Sequence, residues 1–121
     1  MSATYDSFKI LIDNIIIGCK GWVESVAIVA EDGTPVAYSA HTGFNPEFIA
    51  AATAAIGGAV NAVMDLLNAT RYNKIEIELN DRRYIIIRNY KDRYYIVALT
   101  KPKPNLGFIN LIIEAYVSGK S

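Results

Sequence analysis

The chain has 121 residues, of which 52% are hydrophobic and 20% are charged. That length fits one domain, which we expect to span residues 1–121, and the composition excludes intrinsic disorder. Basic and acidic residues are equal in number, so the net charge gives no general attraction to nucleic acid or to a membrane. The charges are unevenly spread, however. Residues 1–70 carry two basic and seven acidic side chains, whereas residues 71–104 carry nine basic and four acidic ones.

The first forty residues predict a helix followed by a hairpin. Apolar side chains at helical spacing predict a helix over residues 5–17. Residues 23–30 and 35–40 have the composition of strands, and Asp32-Gly33 between them is typical of a tight hairpin turn.

A long helix and a second group of strands come next. Asn45 is a good N-cap, Pro46 is favoured in the first turn, and Glu47 suits the positive end of the helix dipole. This signal predicts a helix over residues 46–68. Three strands and a last helix then follow over residues 74–79, 82–88, 94–100 and 105–117.

The element order is therefore α-β-β-α-β-β-β-α. Short links within each strand group favour antiparallel pairing. We expect an α/β protein of the α+β type, with one five-stranded antiparallel sheet. The long helix should cover one face, and the two terminal helices should cover the other.

The long helix has more apolar circumference than one sheet needs. At about 100° per residue, its polar residues share one arc, and they are Glu47, Thr53, Asn61, Asp65 and Asn68. The apolar remainder divides into a bulky sector and a sector of Ala and Gly. We expect the bulky sector, which is Phe48, Ile49, Ile56, Val60, Val63, Leu66 and Leu67, to cover the sheet. The small sector would then pack on the same helix of a second chain.

Two alternatives compete with this interpretation of the long helix. Another helix of the same chain would cover the small sector in a monomer. A membrane span would need stronger hydropathy than a segment this rich in Ala and Gly offers, so we expect none.

Several short segments carry a resemblance to a known family, and they are residues 26–29, 32–33, 36–39, 47–51, 75–78 and 105–107. In this order and spacing, the chain from Trp22 to about Tyr116 resembles the roadblock (dynein light chain roadblock-type) family. The resemblance implies a dimer in which the long helices pair and the next strand joins its twin. It also implies binding to small Ras-like GTPases or a scaffolding role around them. Some bacterial relatives activate GTP hydrolysis.

The residue pattern of the strand over residues 74–79 independently favours such self-pairing. Its isoleucines alternate with charged residues, and antiparallel pairing centred on Ile75 would place Lys74 opposite Glu76 of the second chain. The expected interface combines this strand with the small residues of the helix. It comprises Ala51, Ala54, Ala55, Gly58, Ala62, Lys74, Ile75, Glu76, Ile77 and Glu78.

The sequence offers little for catalysis, so we expect no enzyme, no cofactor and no metal. His41 is the only histidine, and Cys19 is the only cysteine, so they cannot form a metal site alone. The single cysteine excludes an internal disulfide and suits a reducing compartment, which we expect to be the cytoplasm. Gly57-Gly58 lies inside a helix, whereas phosphate loops precede one.

Basic and aromatic residues are concentrated between residues 82 and 95. They form either the solvent-exposed face and turn of a β-hairpin, a docking face for an acidic protein, or a surface that binds nucleic acid. The candidate docking residues are Arg82, Arg88, Lys91, Arg93 and Tyr95. A nucleic-acid-binding module that uses this hairpin is the alternative to a GTPase regulator.

Overall fold

A computed structural model describes residues 2–39 and 44–118, with side chains from Asp6 onward. The described elements are α1 (Ser2–Gly18), β1 (Val23–Ala30), β2 (Pro35–Tyr38), α2 (Pro46–Leu67), β3 (Lys74–Glu78), β4 (Tyr84–Tyr90), β5 (Tyr94–Thr100) and α3 (Leu106–Val117). The predicted element order is confirmed.

The five strands form one sheet in the order β2-β1-β5-β4-β3, and every neighbouring pair is antiparallel. The central strands β1 and β5 pair along their whole length, from Val23 opposite Thr100 to Ala30 opposite Tyr94. The predicted turn joins β1 to β2: Gly33 has a φ of +92°, and the backbone N–H of Thr34 donates to Asp32 Oδ1 at 3.0 Å. Consequently β2 and β3 are the two edges of the sheet.

The helices lie on both faces, as the sequence predicted. Helices α1 and α3 pack on one face over a cluster that includes Ile12, Ile28 and Ile109. Helix α2 packs on the opposite face over a second cluster that includes Val29, Ile87 and Val97. Because alternate residues of a strand point to opposite faces, neighbouring residues of β1 and β5 supply the two clusters.

Strand β4 is displaced by two residues from its predicted position. It covers Tyr84–Tyr90, whereas the sequence predicted residues 82–88. A tight turn explains the difference, since the Arg82 N–H donates to the Leu79 carbonyl and the Arg83 N–H donates to Asp81 Oδ1. Arg82 therefore belongs to the turn, with a φ of +74°. Strand β2 ends at Tyr38, two residues before the predicted end, and Ala40 lies outside the described residues.

The side of α2 that faces the sheet was predicted correctly only in part. Ile49 and Ile56 pack against the cluster under the helix as expected, whereas Phe48, Val63, Leu66 and Leu67 of the same predicted sector are exposed. The buried residues of α2 are the small Ala50, Thr53 and Gly57. The sequence predicted Thr53 on the polar arc of the helix, but Thr53 is buried. It predicted the bulky Phe48 and Leu66 on the sheet, but they are 77% and 83% exposed. Small side chains let the helix lie close to the sheet, and an ideal Cβ at Gly57 would lie only 2.7 Å from Cζ of Tyr95 in β5. The sheet-facing side of the helix therefore combines small residues at the point of closest approach with the flanking Ile49 and Ile56.

Candidate self-association and docking surfaces

The outer side of α2 carries an exposed apolar seam. Six residues alternate at spacings of four and three, which is the spacing of a coiled-coil contact line. We call them the α2 seam, and they are Phe48, Ala52, Ala55, Ala59, Ala62 and Leu66. All six are exposed, so the structure leaves a continuous apolar line that nothing among the described residues covers.

The α2 seam is symmetric about its own centre. In an antiparallel pair centred on residue 57, Phe48 meets Leu66 of the second copy, and Ala55 meets Ala59. Small alanines occupy the middle and bulky residues close both ends, so two identical helices could approach closely without a clash. This self-complementarity is the property that a two-fold interface requires.

The sequence analysis identified part of this surface and missed part of it. Ala51, Ala55, Gly58 and Ala62 are exposed, as an interface requires. Ala54 is half-buried, because it lies near the β1–β2 turn, where an ideal Cβ at Gly33 would come 3.8 Å from the Ala54 Cβ. The missed residues are Phe48, Ala52, Ala59 and Leu66. Their four-three spacing was readable, but sorting residues by size alone concealed it.

Strand β3 is a regular sheet edge. It pairs only with β4 among the described strands, in an unbroken register from Lys74 opposite Arg88 to Glu78 opposite Tyr84. It contains no proline or bulge, two of the devices that block an edge, although it carries the charged residues Lys74, Glu76 and Glu78. The other edge, β2, has only four residues and begins with Pro35. Of the two edges, β3 is therefore the better template for a further strand.

The two faces of β3 differ as predicted. Ile75 is half-buried beside the cluster under α2, whereas Lys74 and Glu76 are on the side of α3. There the Lys74 ammonium lies 3.3 Å from Glu76, and Asn110 of α3 donates to the Glu76 carboxylate at 2.7 Å. The edge residues Lys74, Glu76 and Glu78 are exposed, and the pairing that the sequence predicted for them stays a prediction.

The five candidate docking residues do not form one surface. Arg88 and Tyr95 are 7% and 8% exposed. The Arg88 guanidinium donates to the Asn73 carbonyl at 2.8 Å and pairs with Glu114, while Tyr95 lies under Gly57. These two residues are occupied within the chain. Because tertiary packing buries Arg88 and Tyr95, neither is accessible as a docking residue.

The three exposed members lie at opposite ends of the sheet. Arg82 is in the β3–β4 turn, and Lys91 and Arg93 are in the β4–β5 turn. Seven residues of β4 separate the two turns, a distance of about 23 Å at the usual strand rise. A nucleic-acid footprint confined to the β4–β5 turn would include Lys91 and Arg93 but not Arg82, and the nucleic-acid alternative stays a prediction.

The surface depressions near Arg88 are lined mainly by polar and charged residues. A cavity of about 450 Å³ is lined by Arg88, Glu114, Lys91 and Asp92, in which cations and carboxylates alternate. In an adjoining cavity, burial and the neighbouring Tyr95 raise the pKa of Tyr72 to about 12, so this phenol stays protonated at neutral pH. Such a group is poorly suited to general acid–base chemistry.

Within residues 2–39 and 44–118, no group of three or more His, Cys, Asp or Glu side chains could hold a metal ion. His41, the only histidine, lies outside the described residues. By length and composition alone, α2 is apolar enough to cross a membrane. One side of α2 packs on the sheet through Ala50, Thr53 and Gly57, whereas most of the helix surface is exposed.

Solved structures identify the fold. MglB of Myxococcus xanthus superposes with a TM-score of 0.87 over 98% of this chain and 87% of that one, at 14% identity. A Roadblock/LC7 domain of Streptomyces avermitilis gives a TM-score of 0.79 over 91% of both chains, at 10% identity. The protein has a roadblock-type fold. A profilin of Schizosaccharomyces pombe is more distant, with a TM-score of 0.65 over 91% of this chain and 93% of that one, at 22% identity.

The roadblock-type fold is shown here by comparison of three-dimensional structures. No protein-family model and no curated protein matches the sequence. The likeness nevertheless confirms the resemblance that short segments of the sequence carried. In this roadblock-type fold, the α2 seam and the β3 edge are the two exposed features that a second chain could complete.

Proposed function

We propose that this protein is a homodimeric, non-catalytic regulator or scaffold of a small Ras-like GTPase. The observation that carries the proposal is the α2 seam, an exposed and symmetric apolar line on a roadblock-type fold. The family resemblance supplies the class of partner. The dimer is argued first, because the surface for the GTPase depends on it.

Burial of the seam supplies the energy for dimerisation. Phe48 and Leu66 are 77% and 83% exposed, and full burial of such side chains contributes about 1.5–3 kcal/mol each. In the antiparallel pair, each dimer buries two copies of both. Pairing of β3 with its twin would add backbone hydrogen bonds and the Lys74–Glu76 contacts between chains.

A cross-linking experiment tests the seam and its register together. On a Cys19→Ala background, chains with Ala55→Cys are mixed with chains with Ala59→Cys and oxidised. We expect a disulfide-linked heterodimer from the mixture and little linkage from either variant alone. A mixture of Ala55→Cys with Asn61→Cys is the matched control, because Asn61 is exposed on the same helix but outside the seam. Equal linkage in both mixtures would reject the register.

The oligomeric state gives a second readout. Light scattering should return the mass of two chains for the natural protein and of one chain for Ala55→Glu. Glu is a good helix former, and residue 55 is exposed, so the variant should keep its circular dichroism spectrum. The matched variant Asn61→Glu should stay dimeric. A natural protein that is monomeric at high concentration would reject the dimer outright.

The GTPase would bind beside the paired long helices, with Lys91 and Arg93 contributing exposed cations. Titration calorimetry with the small Ras-like GTPases of the same genome, loaded with GDP or with a non-hydrolysable GTP analogue, measures this directly. We expect binding that prefers one nucleotide state. Absence of binding in both states would reject the function and would leave the dimer untouched.

The proposed role needs no catalytic residue from this chain. Where hydrolysis is accelerated, we expect the protein to act by ordering the GTPase's own residues, because no arginine finger can be nominated. Alanine substitution of Lys91 or Arg93 should then weaken binding without abolishing hydrolysis at saturation. Loss of hydrolysis at saturating Arg93→Ala would instead identify a residue that acts in the transition state.

A further inference from the structure

One end of the sheet carries an unbalanced cluster of cations. Three turns meet there: the α1–β1 turn, the β3–β4 turn and the loop that joins β5 to α3. Backbone hydrogen bonds hold them side by side, from the Lys101 N–H to the Trp22 carbonyl at 2.8 Å and from the Lys103 N–H to the Arg82 carbonyl at 2.9 Å. We call this end the basic pole, and its exposed cations are Lys20, Arg82, Lys101 and Lys103.

These four cations lack acidic partners. Their neighbour Arg83 pairs with two carboxylates, Asp81 at 2.7 Å and Glu24 at 3.7 Å, so this group adds one negative charge beside the four cations. In the described part of the chain, no carboxylate lies within 4 Å of any of the four. The opposite end of the sheet differs, because there Lys91 and Arg93 are interleaved with Glu31, Asp32 and Asp92. The asymmetry is therefore a property of one end, although the chain as a whole is neutral.

Three residues of the basic pole have a left-handed backbone conformation, which costs less conformational free energy for glycine than for other residues. Lys20, Arg82 and Lys103 have φ values of +53°, +74° and +52°, in the left-handed region where Gly and Asn are favoured. Strain of this kind persists where the surrounding structure or a function requires it. Lys91 at the opposite end has the same conformation, so these φ values mark tight turns, and what distinguishes the basic pole is its unpaired charge and its exposed tryptophan.

An exposed tryptophan lies within the cluster. Trp22 is 36% exposed, and its carbonyl accepts the hydrogen bond from Lys101 that joins two of the turns. Indole rings prefer the boundary between lipid and water. Three of the four cations are lysines, whose hydrated point charges suit a dense anionic surface, and lysine is depleted in protein–protein interfaces. Stacking of single-stranded nucleic acid would use several aromatic side chains, and here Trp22 stands alone among the cations.

We infer that the basic pole docks on an anionic lipid surface, with Trp22 at the headgroup level and the four cations over lipid phosphates and carboxylates. Each lysine or arginine near such a surface strengthens partitioning roughly fivefold. The attachment is peripheral and reversible. It is independent of the α2 seam, which lies on a different element.

The test uses the full chain and vesicles of phosphatidylcholine, alone or in an equimolar mixture with phosphatidylglycerol. Trp22 is the only tryptophan, so its fluorescence reports on this pole directly. We expect a blue shift and co-sedimentation with the anionic vesicles only. Both should be lost when salt is raised from about 0.1 M to about 1 M, because the screening length falls from about 10 Å to about 3 Å. Equal binding to both vesicle types would overturn the inference.

A pair of glycine variants separates docking from stability. Lys103 and Lys91 share a φ of +52°, are both exposed, and lie at opposite ends of the sheet. Lys103→Gly and Lys91→Gly should both fold, with a Tm at or above that of the natural protein. Only Lys103→Gly should weaken partitioning, by roughly fivefold, and adding Lys20→Gly and Arg82→Gly should bring the loss to roughly a hundredfold.

Three outcomes contradict the inference. In the first, the triple glycine variant binds anionic vesicles as tightly as the natural protein does. In the second, Lys91→Gly weakens partitioning into anionic vesicles as much as Lys103→Gly does. In the third, a single-stranded oligonucleotide or an acidic peptide would bind at this pole more tightly than the vesicles at equal salt. That result would reassign the basic pole to a different class of partner.

Discussion

The adjacent glycines of α2 should respond in opposite ways to the same substitution. Gly57 faces the sheet and Gly58 faces solvent, although both lie in the helix interior. Alanine in place of glycine stabilises a helix interior by about 1 kcal/mol. At Gly58 an added Cβ meets nothing within 4 Å in the same chain, so Gly58→Ala should gain about that amount in the single chain, before any contact with a second copy.

At Gly57 the same methyl group has no room. An ideal Cβ there would overlap the Tyr95 hydroxyl and lie 2.7 Å from Cζ, and the Tyr95 ring is buried and cannot swing into solvent. Overpacking of this kind costs about 1–3 kcal/mol. After the helical gain is subtracted, Gly57→Ala should destabilise the protein by up to about 2 kcal/mol, and the two variants should differ by about 1–3 kcal/mol.

Urea denaturation followed by circular dichroism measures the difference. Protein concentration must be held fixed, because self-association couples apparent stability to concentration. On a Tyr95→Leu background the clash is removed, so Gly57→Ala should become neutral or stabilising. The reasoning is wrong if Gly57→Ala and Gly58→Ala change the free energy of unfolding equally, or if Tyr95→Leu gives no rescue.

Three further predictions concern single side chains. Asn45→Ala should lower the free energy of unfolding, measured by urea denaturation, by about 1 kcal/mol, because Asn45 Oδ1 accepts hydrogen bonds from the N–H groups of Glu47 and Phe48 at the start of α2. The control Asn80→Ala removes no such bond and should change the free energy of unfolding little. Arg88→Met should cost about 1–3 kcal/mol, since the Asn73 carbonyl loses its donor, whereas Arg82→Met should be nearly neutral. Burial raises the pKa of Cys19 from 9.0 to about 11, so native protein should resist thiol reagents at pH 8. Because the folded thiol holds its proton more tightly than the unfolded one, stability should fall as pH rises from about 9 to 11, and Cys19→Ala should remove that part of the slope.

Local signals in the sequence determined most of the fold. The bounds of β1 and β5 agree with the prediction, and those of α2 agree to within one residue. Alternation, capping and turn residues act over a few positions, so they can be read without tertiary information. The predicted turn at Asp32-Gly33 is an example, since its geometry depends on those two residues and their immediate neighbours.

Local signals were less informative where several residues compete for one turn. Arg82 and Arg83 have strand-like neighbours, but hydrogen bonds from their N–H groups close a turn on Leu79 and Asp81. The start of β4 was therefore predicted two residues early. The error moved Arg82 from a turn to a strand, and the basic pole stayed hidden because its three turns are distant in sequence.

The sequence by itself determined that α2 has apolar residues around most of its circumference, and hence that more than one surface must cover it. Only the tertiary structure decided which side meets the sheet. The helix approaches β5 closely over Gly57 and Tyr95, a contact between residues 38 positions apart that no local pattern encodes. Packing at that distance admits Ala50, Thr53 and Gly57, so the bulky Phe48 and Leu66 are turned outward onto the α2 seam.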